Sequence, residues 1–187
     1  LRPELESLAD GTDAIDPASV DFLSPVANPT KIIGVPANYQ AHRDEAKADP
    51  DFDAGRKRFA GSIEEQGLFL KANSALVGPS EGVAVRFPDL RTDHEAELGV
   101  IIGTRAKNVS EAEALNHVAG YCVVNDVSER HFQTQLTGQW TKGKSCDTFG
   151  PVGPWMVTRD EVPNPQALDL WLDVNGTRRQ TGTTAKM

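Results

Sequence analysis

The sequence predicts a single α+β domain, rich in strands and carrying one or two helices. Three observations lead there. Apolar runs of strand length recur from residue 67 onward, some alternating with polar residues and some continuous, the patterns of half-buried and fully buried strands. Gly and Pro punctuate these runs, as turns between strands require. A chain of 187 residues is long enough for one sizeable core and short for two.

Taken in order, residues 1–29 are mixed, with "DPASVDFLSPVANP" reading as loop and short strand. "TKIIGVPANY" is a β-branched run ended by Gly34 and Pro36, a strand followed by a turn. Residues 40–66 are polar, helix-permissive and interrupted by Pro50 and Gly55. With few core residues, that segment is expected to be a mobile excursion. "GLFLKANSALVG" and the alternating "GVAVRFPDL" read as strands, and "EAELGVIIG" runs from polar into continuous apolar, as a strand entering a core does. Ser110 followed by Glu113 offers a capping box for a helix. "GYCVVNDVS" and "GPVGPWMVT" are strands, and "LDLWLDVNGTRRQ" carries the strongest hairpin signal, alternating leucines before Asn175-Gly176. The chain starts at Leu1 and stops just after that hairpin, so a fragment is expected.

A net charge of −8 with a pI near 5.0 argues against nucleic acid or an anionic membrane as a partner, since both favour a basic surface. No apolar run approaches the ~18 residues of a membrane helix, and the first residues show no leader-like apolar stretch. Two cysteines without metal-type spacing fit a reducing, cytoplasmic setting.

Glu95 and Glu97 open an apolar run two residues apart, so on a strand they share a face. On spacing alone the pair reads first as a solvated strand start. Asp126 follows a second apolar run in the same way. Three carboxylates converging at strand ends would make an all-oxygen site for a hard cation, with Mg²⁺ first and Mn²⁺ or Ca²⁺ as alternatives. Zinc is disfavoured, because no His or Cys shares the spacing. His94 would point to the opposite face.

Five segments, "NYQAHRDEA", "HEAELGVIIG", "GYCVVNDVSER", "GQWTKGKSCDTFGPVGPW" and "VNGTRRQTG", resemble the fumarylacetoacetate hydrolase family in order, spacing and wording. The resemblance covers about residues 31–185. It implies the mixed-sheet barrel or sandwich roll of that family's C-terminal domain over residues 30–187, here incomplete at its C-terminal end, with 1–29 as an N-terminal segment and 40–66 as a lid. It implies a divalent cation held by Glu95, Glu97 and Asp126. His42 and Glu45 match the family's catalytic pair, and a spacing of three lets Glu45 reach His42 on a helical turn. Lys144 matches the active-site lysine, placed to hold an oxyanion. Arg130, Gln133 and Lys71 match substrate contacts, although Ala72 stands where a proline more often follows the lysine. Lys142 is expected to be a solvated neighbour, and His117 and His131 to be structural.

The implied activity is hydrolysis of a C–C bond in acylpyruvate-like (2,4-dioxo acid) substrates, with His42–Glu45 activating water and an enolate product held at the metal. The alternatives are an isomerase, lyase or decarboxylase on related 2-oxo acids (2-hydroxyhepta-2,4-diene-1,7-dioate, oxaloacetate, ureidoglycolate), or a non-catalytic metal- and ligand-binding relative. A homodimer is implied as well.

Overall fold

The computed structural model describes residues 2–36, 38–39, 67–136 and 138–187. The expected lid at 40–66, with His42 and Glu45, lies outside the described residues. In chain order the elements are α1 (Arg2–Ala9), β1 (Ile32–Gly34), β2 (Phe69–Lys71), β3 (Leu76–Val77), β4 (Thr92–Asp93), β5 (Ala96–Ile102), α2 (Glu111–Ala114), β6 (Val118–Asn125), β7 (Ser128–Glu129), α3 (Trp140–Lys144), β8 (Gly150–Thr158), β9 (Asp169–Val174) and β10 (Thr177–Thr183). The predicted α+β character holds, with short helices between strands.

The largest sheet is mixed, in the order β3-β8-β6-β5, with β3 and β8 parallel and the other pairs antiparallel. Three further antiparallel pairs, β1-β2, β4-β7 and β9-β10, stand around it. The sheets are open, and no closed barrel forms among the described residues. The expected mixed-sheet roll is thus present in open form, and among the described residues β5 is an edge strand.

Several local expectations meet a different outcome. "GVAVRFPDL" forms no strand. Val85 and Phe87 are exposed, Phe87 meeting only the Phe132 ring edge-on among the described aromatic rings, so the alternation does not define a buried face. Residues 16–29 hold no strand, and α1 precedes them, with Pro3 and Glu4 in its first turn, where Pro lacks no needed hydrogen bond and an acid meets the positive helix end. A 3₁₀ turn, Pro17–Ser19, follows, capped as Ala18 N–H donates to Asp16 Oδ1 at 2.9 Å. The capping box at Ser110 is only partial. Ser110 Oγ donates to Glu113 Oε2 at 2.8 Å instead of accepting a backbone N–H, and the helix lasts one turn.

The β9-β10 hairpin matches its signal. Asn175 and Gly176 both have positive φ, 50° and 75°, the type I′ turn whose twist suits antiparallel strands. Gly176→Val should cost about 1–2 kcal/mol in urea unfolding, because a β-branched residue is strained in the left-handed region. Gly182→Ala in β10, where no neighbour lies within 4 Å of an added Cβ, should not lower stability.

The depth profile is unusual. The largest fully buried side chains are Lys144, Gln133, Glu129, Thr184 and Ser128, whereas apolar side chains normally hold those places. The buried apolar residues include Tyr121, Val127, Phe149 and Val152. Buried polar groups persist only when they are bonded to one another, so these positions mark a built site.

Candidate active site

Antiparallel pairing brings the start of β5 beside the end of β6, with Ala96 opposite Asn125 and Glu97 opposite Val124. Just outside the paired segment, Asp126 N–H donates to Glu95 O and Glu95 N–H to Asn125 Oδ1, both at 2.9 Å. The two polar strand ends therefore meet. One ligand oxygen from each of Glu95, Glu97 and Asp126 lies within 4.8 Å of the others.

Three cations hold the cluster. Lys144 Nζ lies 2.9 Å from Glu95 Oε2 and 2.6 Å from Asp126 Oδ2, bridging two carboxylates. It comes from α3, which presses closely on β7 and the π-helical turn His131–Gln135. Gly143 permits this approach: a Cβ there would sit 2.5 Å from Glu129 O and 2.6 Å from Gln133 Cβ. The Lys144 ammonium also stands 5.1 Å from the Phe69 ring centroid.

Arg130 spreads its guanidinium over three acceptors: Asp93 Oδ2 at 2.8 Å, Glu95 Oε1 at 2.5 Å and Gln133 Oε1 at 2.9 Å. Burial alone would lower its pKa, but the Glu95 and Asp93 carboxylates more than offset that and raise it. The β4-β7 pairing explains the position, since Thr92 lies opposite Glu129 and Arg130 N–H donates to Arg91 O at 2.7 Å.

Lys71 is 4% exposed. Its ammonium meets Asp126 Oδ1 at 2.9 Å, Val127 O at 3.1 Å, Phe149 O at 2.7 Å and the Lys144 carbonyl. An ammonium has three donors, so these acceptors use them all. Burial pushes its pKa down, and Asp126 partly restores it. The substrate contact expected of Lys71 meets this obstacle: its donors are spent inside the protein.

Glu97 differs from its neighbours. Its carboxyl has no hydrogen bond or ion pair among the described residues, and burial pushes its pKa up to about 8, with the Asp126 and Glu95 charges adding to the effect and Lys144 and Lys71 opposing it. A carboxyl short of counter-charge beside two further carboxylates is where a divalent cation would be stabilising. The all-oxygen donor set suits Mg²⁺, Mn²⁺ or Ca²⁺, so the residues fit such an ion. The Tyr39 hydroxyl is buried without a hydrogen-bond partner among the described residues, and burial followed by the Glu97 charge raises its pKa.

Seven of the nine residues singled out in the sequence thus come together: Lys71, Glu95, Glu97, Asp126, Arg130, Gln133 and Lys144. His94 and Lys142 are exposed, as expected. His117 Nδ1 pairs with Thr104 Oγ1 at 3.1 Å and His131 Nδ1 with Gln135 Oε1 at 2.8 Å, both away from the carboxylates. Sequence reasoning missed Asp93, Ser128 and Gln180. Ser128 Oγ stands 3.0 Å from Glu95 Oε1, and the Gln180 side chain bonds the backbone of Ala96. All three lie in or beside segments already singled out, but none carries a spacing that marks it.

Comparison with known proteins agrees with this geometry. The fumarylacetoacetate (FAA) hydrolase C-terminal domain matches residues 31–187. A curated relative from Burkholderia ambifaria, whose name is no more specific than a provisional hydrolase, is 48% identical over 181 residues, covering 93% of this chain and 60% of its own. The chain spans about 60% of the length of the curated relatives it matches. Maleylpyruvate hydrolase from Sphingobium sp. SYK-6 superposes with a TM-score of 0.79 at 35% identity, over 100% of this chain and 61% of that one. The same enzyme in complex with manganese(II) and pyruvate gives 0.79 at 34% identity, over 100% and 60%. The 2-hydroxyhepta-2,4-diene-1,7-dioate isomerase of Mycobacterium marinum gives 0.68 at 37%, over 91% and 57%. Among the described residues no helix is long and apolar enough to cross a membrane. With most of its length matched and its carboxylate cluster intact, the chain belongs to the fumarylacetoacetate hydrolase family.

Proposed function

We propose that this chain carries the catalytic centre of a divalent-metal-dependent hydrolase that cleaves a C–C bond in acylpyruvate-like 2,4-dioxo acids. The observation that carries the reading is the convergence of Glu95, Glu97 and Asp126 within 4.8 Å, together with likeness to a maleylpyruvate hydrolase that takes manganese(II) and pyruvate. Glu95, Glu97 and Asp126 would hold the cation, Mg²⁺ or Mn²⁺. When bound, such an ion supplies Lewis-acid polarisation of the 2-oxo acid.

The chain's own groups have separate tasks. Lys144, bonded to Glu95 and Asp126, holds its ammonium where negative charge on a substrate oxygen would be stabilised. Arg130 orients Glu95, and Gln133, bonded to Arg130, helps hold the guanidinium in place. Lys71 fixes Asp126 rather than touching substrate. His42, assisted by Glu45, takes a proton from the attacking water. A homodimer and a cytoplasmic setting belong to the same proposal.

A second reading is an isomerase on a related 2-oxo diacid, supported by the 37% identity to the Mycobacterium marinum enzyme. Incubation with acylpyruvates, oxaloacetate and 2-oxo-diene diacids in the presence of Mg²⁺ or Mn²⁺ separates the readings by product. A pyruvate plus carboxylic acid product is expected; a rearranged diacid would replace the hydrolase reading, and no turnover of any would favour a binding-only protein. His42→Ala should lose turnover by about 10²-fold or more while cation binding persists. Retained turnover would end the base assignment.

A further inference from the structure

Gln180 stands outside the carboxylate cluster yet bonds the strand that carries it. Ala96, the residue between Glu95 and Glu97, donates its N–H to Gln180 Oε1 at 2.9 Å, and Gln180 Nε2 donates to Ala96 O at 2.7 Å. The side-chain amide thus does for one residue what a neighbouring strand would do. It does so on the side of β5 that no other strand pairs among the described residues, where β5 is the sheet's edge. An edge N–H and C=O need partners when they leave water.

The hairpin is built to deliver this amide. The β9-β10 register slips between Arg178 and Gln180, so Arg179 is an extra residue in a bulge. A bulge re-aims the residues beyond it. Thr177, Arg178 and Arg179 are exposed, and Gln180 is half-buried. Arg178 turns outward to Asp173 and the Trp171 ring.

Resting on the metal-dependent reading above, we propose that Gln180 is a positioning residue. By clamping Ala96 it sets the spacing of the flanking Glu95 and Glu97 carboxylates for a divalent cation. Two like charges on one strand push their backbone apart, and an edge strand bonded on one side only would yield. The hairpin, 84 residues away in sequence, therefore controls cation affinity without supplying a ligand.

The test is Mn²⁺ binding to the chain, followed by the EPR signal of free Mn²⁺, in wild type, Gln180→Met and Thr184→Val. Met keeps the length of Gln and loses both hydrogen bonds. Thr184 is fully buried and accepts from Leu168 N–H at 2.9 Å at the open end of the same hairpin, so its variant loosens the hairpin without touching Ala96. Gln180→Met should weaken Mn²⁺ binding about 10- to 100-fold, with Thr184→Val within about twofold of wild type at a comparable loss of thermal stability. Unchanged binding in Gln180→Met, or an equal loss in both variants, would overturn the positioning role. Wild type that binds no Mn²⁺ would instead remove the metal reading, and the inference with it. If Gln180→Met does not fold, Gln180→Asn, one methylene too short to reach Ala96, carries the same comparison.

Discussion

Lys71→Met should lower stability by about 3–5 kcal/mol, the range for breaking a buried ion pair from one side. In a chain of this size that corresponds to a fall in melting temperature of roughly 10 °C. The side chain is 4% exposed, and its ammonium is the donor for three backbone carbonyls and one oxygen of Asp126. Methionine fills similar volume but leaves Val127 O, Phe149 O and the Lys144 carbonyl without that donor. Each unsatisfied buried acceptor costs about 1–3 kcal/mol before relaxation. Asp126 would keep Lys144 at 2.6 Å but lose half its counter-charge. Burial already disfavours the Lys71 ammonium, so its retention depends on these acceptors. Urea unfolding gives the measurement, with Arg86→Ala as the contrast: its pair with Asp147 is 3.5 Å long and exposed, worth at most about 1 kcal/mol. A loss below about 1 kcal/mol for Lys71→Met would show that the lysine does not bear the load assigned to it.

Glu97→Ala should abolish calorimetrically detectable Mn²⁺ or Mg²⁺ binding, and unchanged affinity would remove the metal site. In wild type, binding near pH 7 should release close to one proton. Burial, with the Asp126 and Glu95 charges adding, pushes Glu97 up to about 8, so at pH 7 its carboxyl is mostly protonated and must ionise to ligate. Titrations in two buffers of different ionisation enthalpy read the proton directly. Affinity should climb as pH rises toward 8 and level off above it. Stability of the chelator-treated protein should run the other way. The folded carboxyl holds its proton more tightly than the unfolded one, whose ordinary value is 4.5. Its contribution is therefore complete below about 4.5 and is lost as pH rises through about 8. Added cation should reverse that decline, and Glu97→Gln, which cannot ionise, should flatten it.

Much of this site was legible because its carboxylates end apolar runs. A run such as Leu98–Ile102 reads as a strand, which places Glu95 and Glu97 at its polar end, and the same holds for Asp126 after "YCVV", although Val100, Ile102 and Val123 are exposed rather than sunk in a core. The hairpin was legible because Asn-Gly suits the left-handed conformations that a type I′ turn requires. Lysines carry no such local mark. Nothing around Lys71 or Lys144 distinguishes a buried ammonium from a solvated one, because the acceptors of Lys71 come from residues 126, 127, 144 and 149 and those of Lys144 from residues 95 and 126. The family resemblance singled them out, while the geometry divided their work, Lys71 to Asp126 and the carbonyls, Lys144 to two carboxylates. Gln180 was invisible for the same reason: a bulge aims it, and its partner is a backbone in another sheet. "GVAVRFPDL" misled because alternation makes a strand only where a neighbouring strand pairs with it, and residues 82–87 pair with none among the described residues.

The bonds of Lys71 also bear on the order in which the chain assembles. Its carbonyl acceptors lie 56, 73 and 78 residues away. Loops of that length carry a closure entropy that must be met before the contacts reward it. No peptide shorter than the span from Lys71 to Phe149 contains the whole clasp. The carboxylate cluster therefore has no local nucleus to preform around. It becomes competent when β2, the end of β6, α3 and the start of β8 have met, so recovery of cation binding during refolding reports global folding rather than the closing of one hairpin.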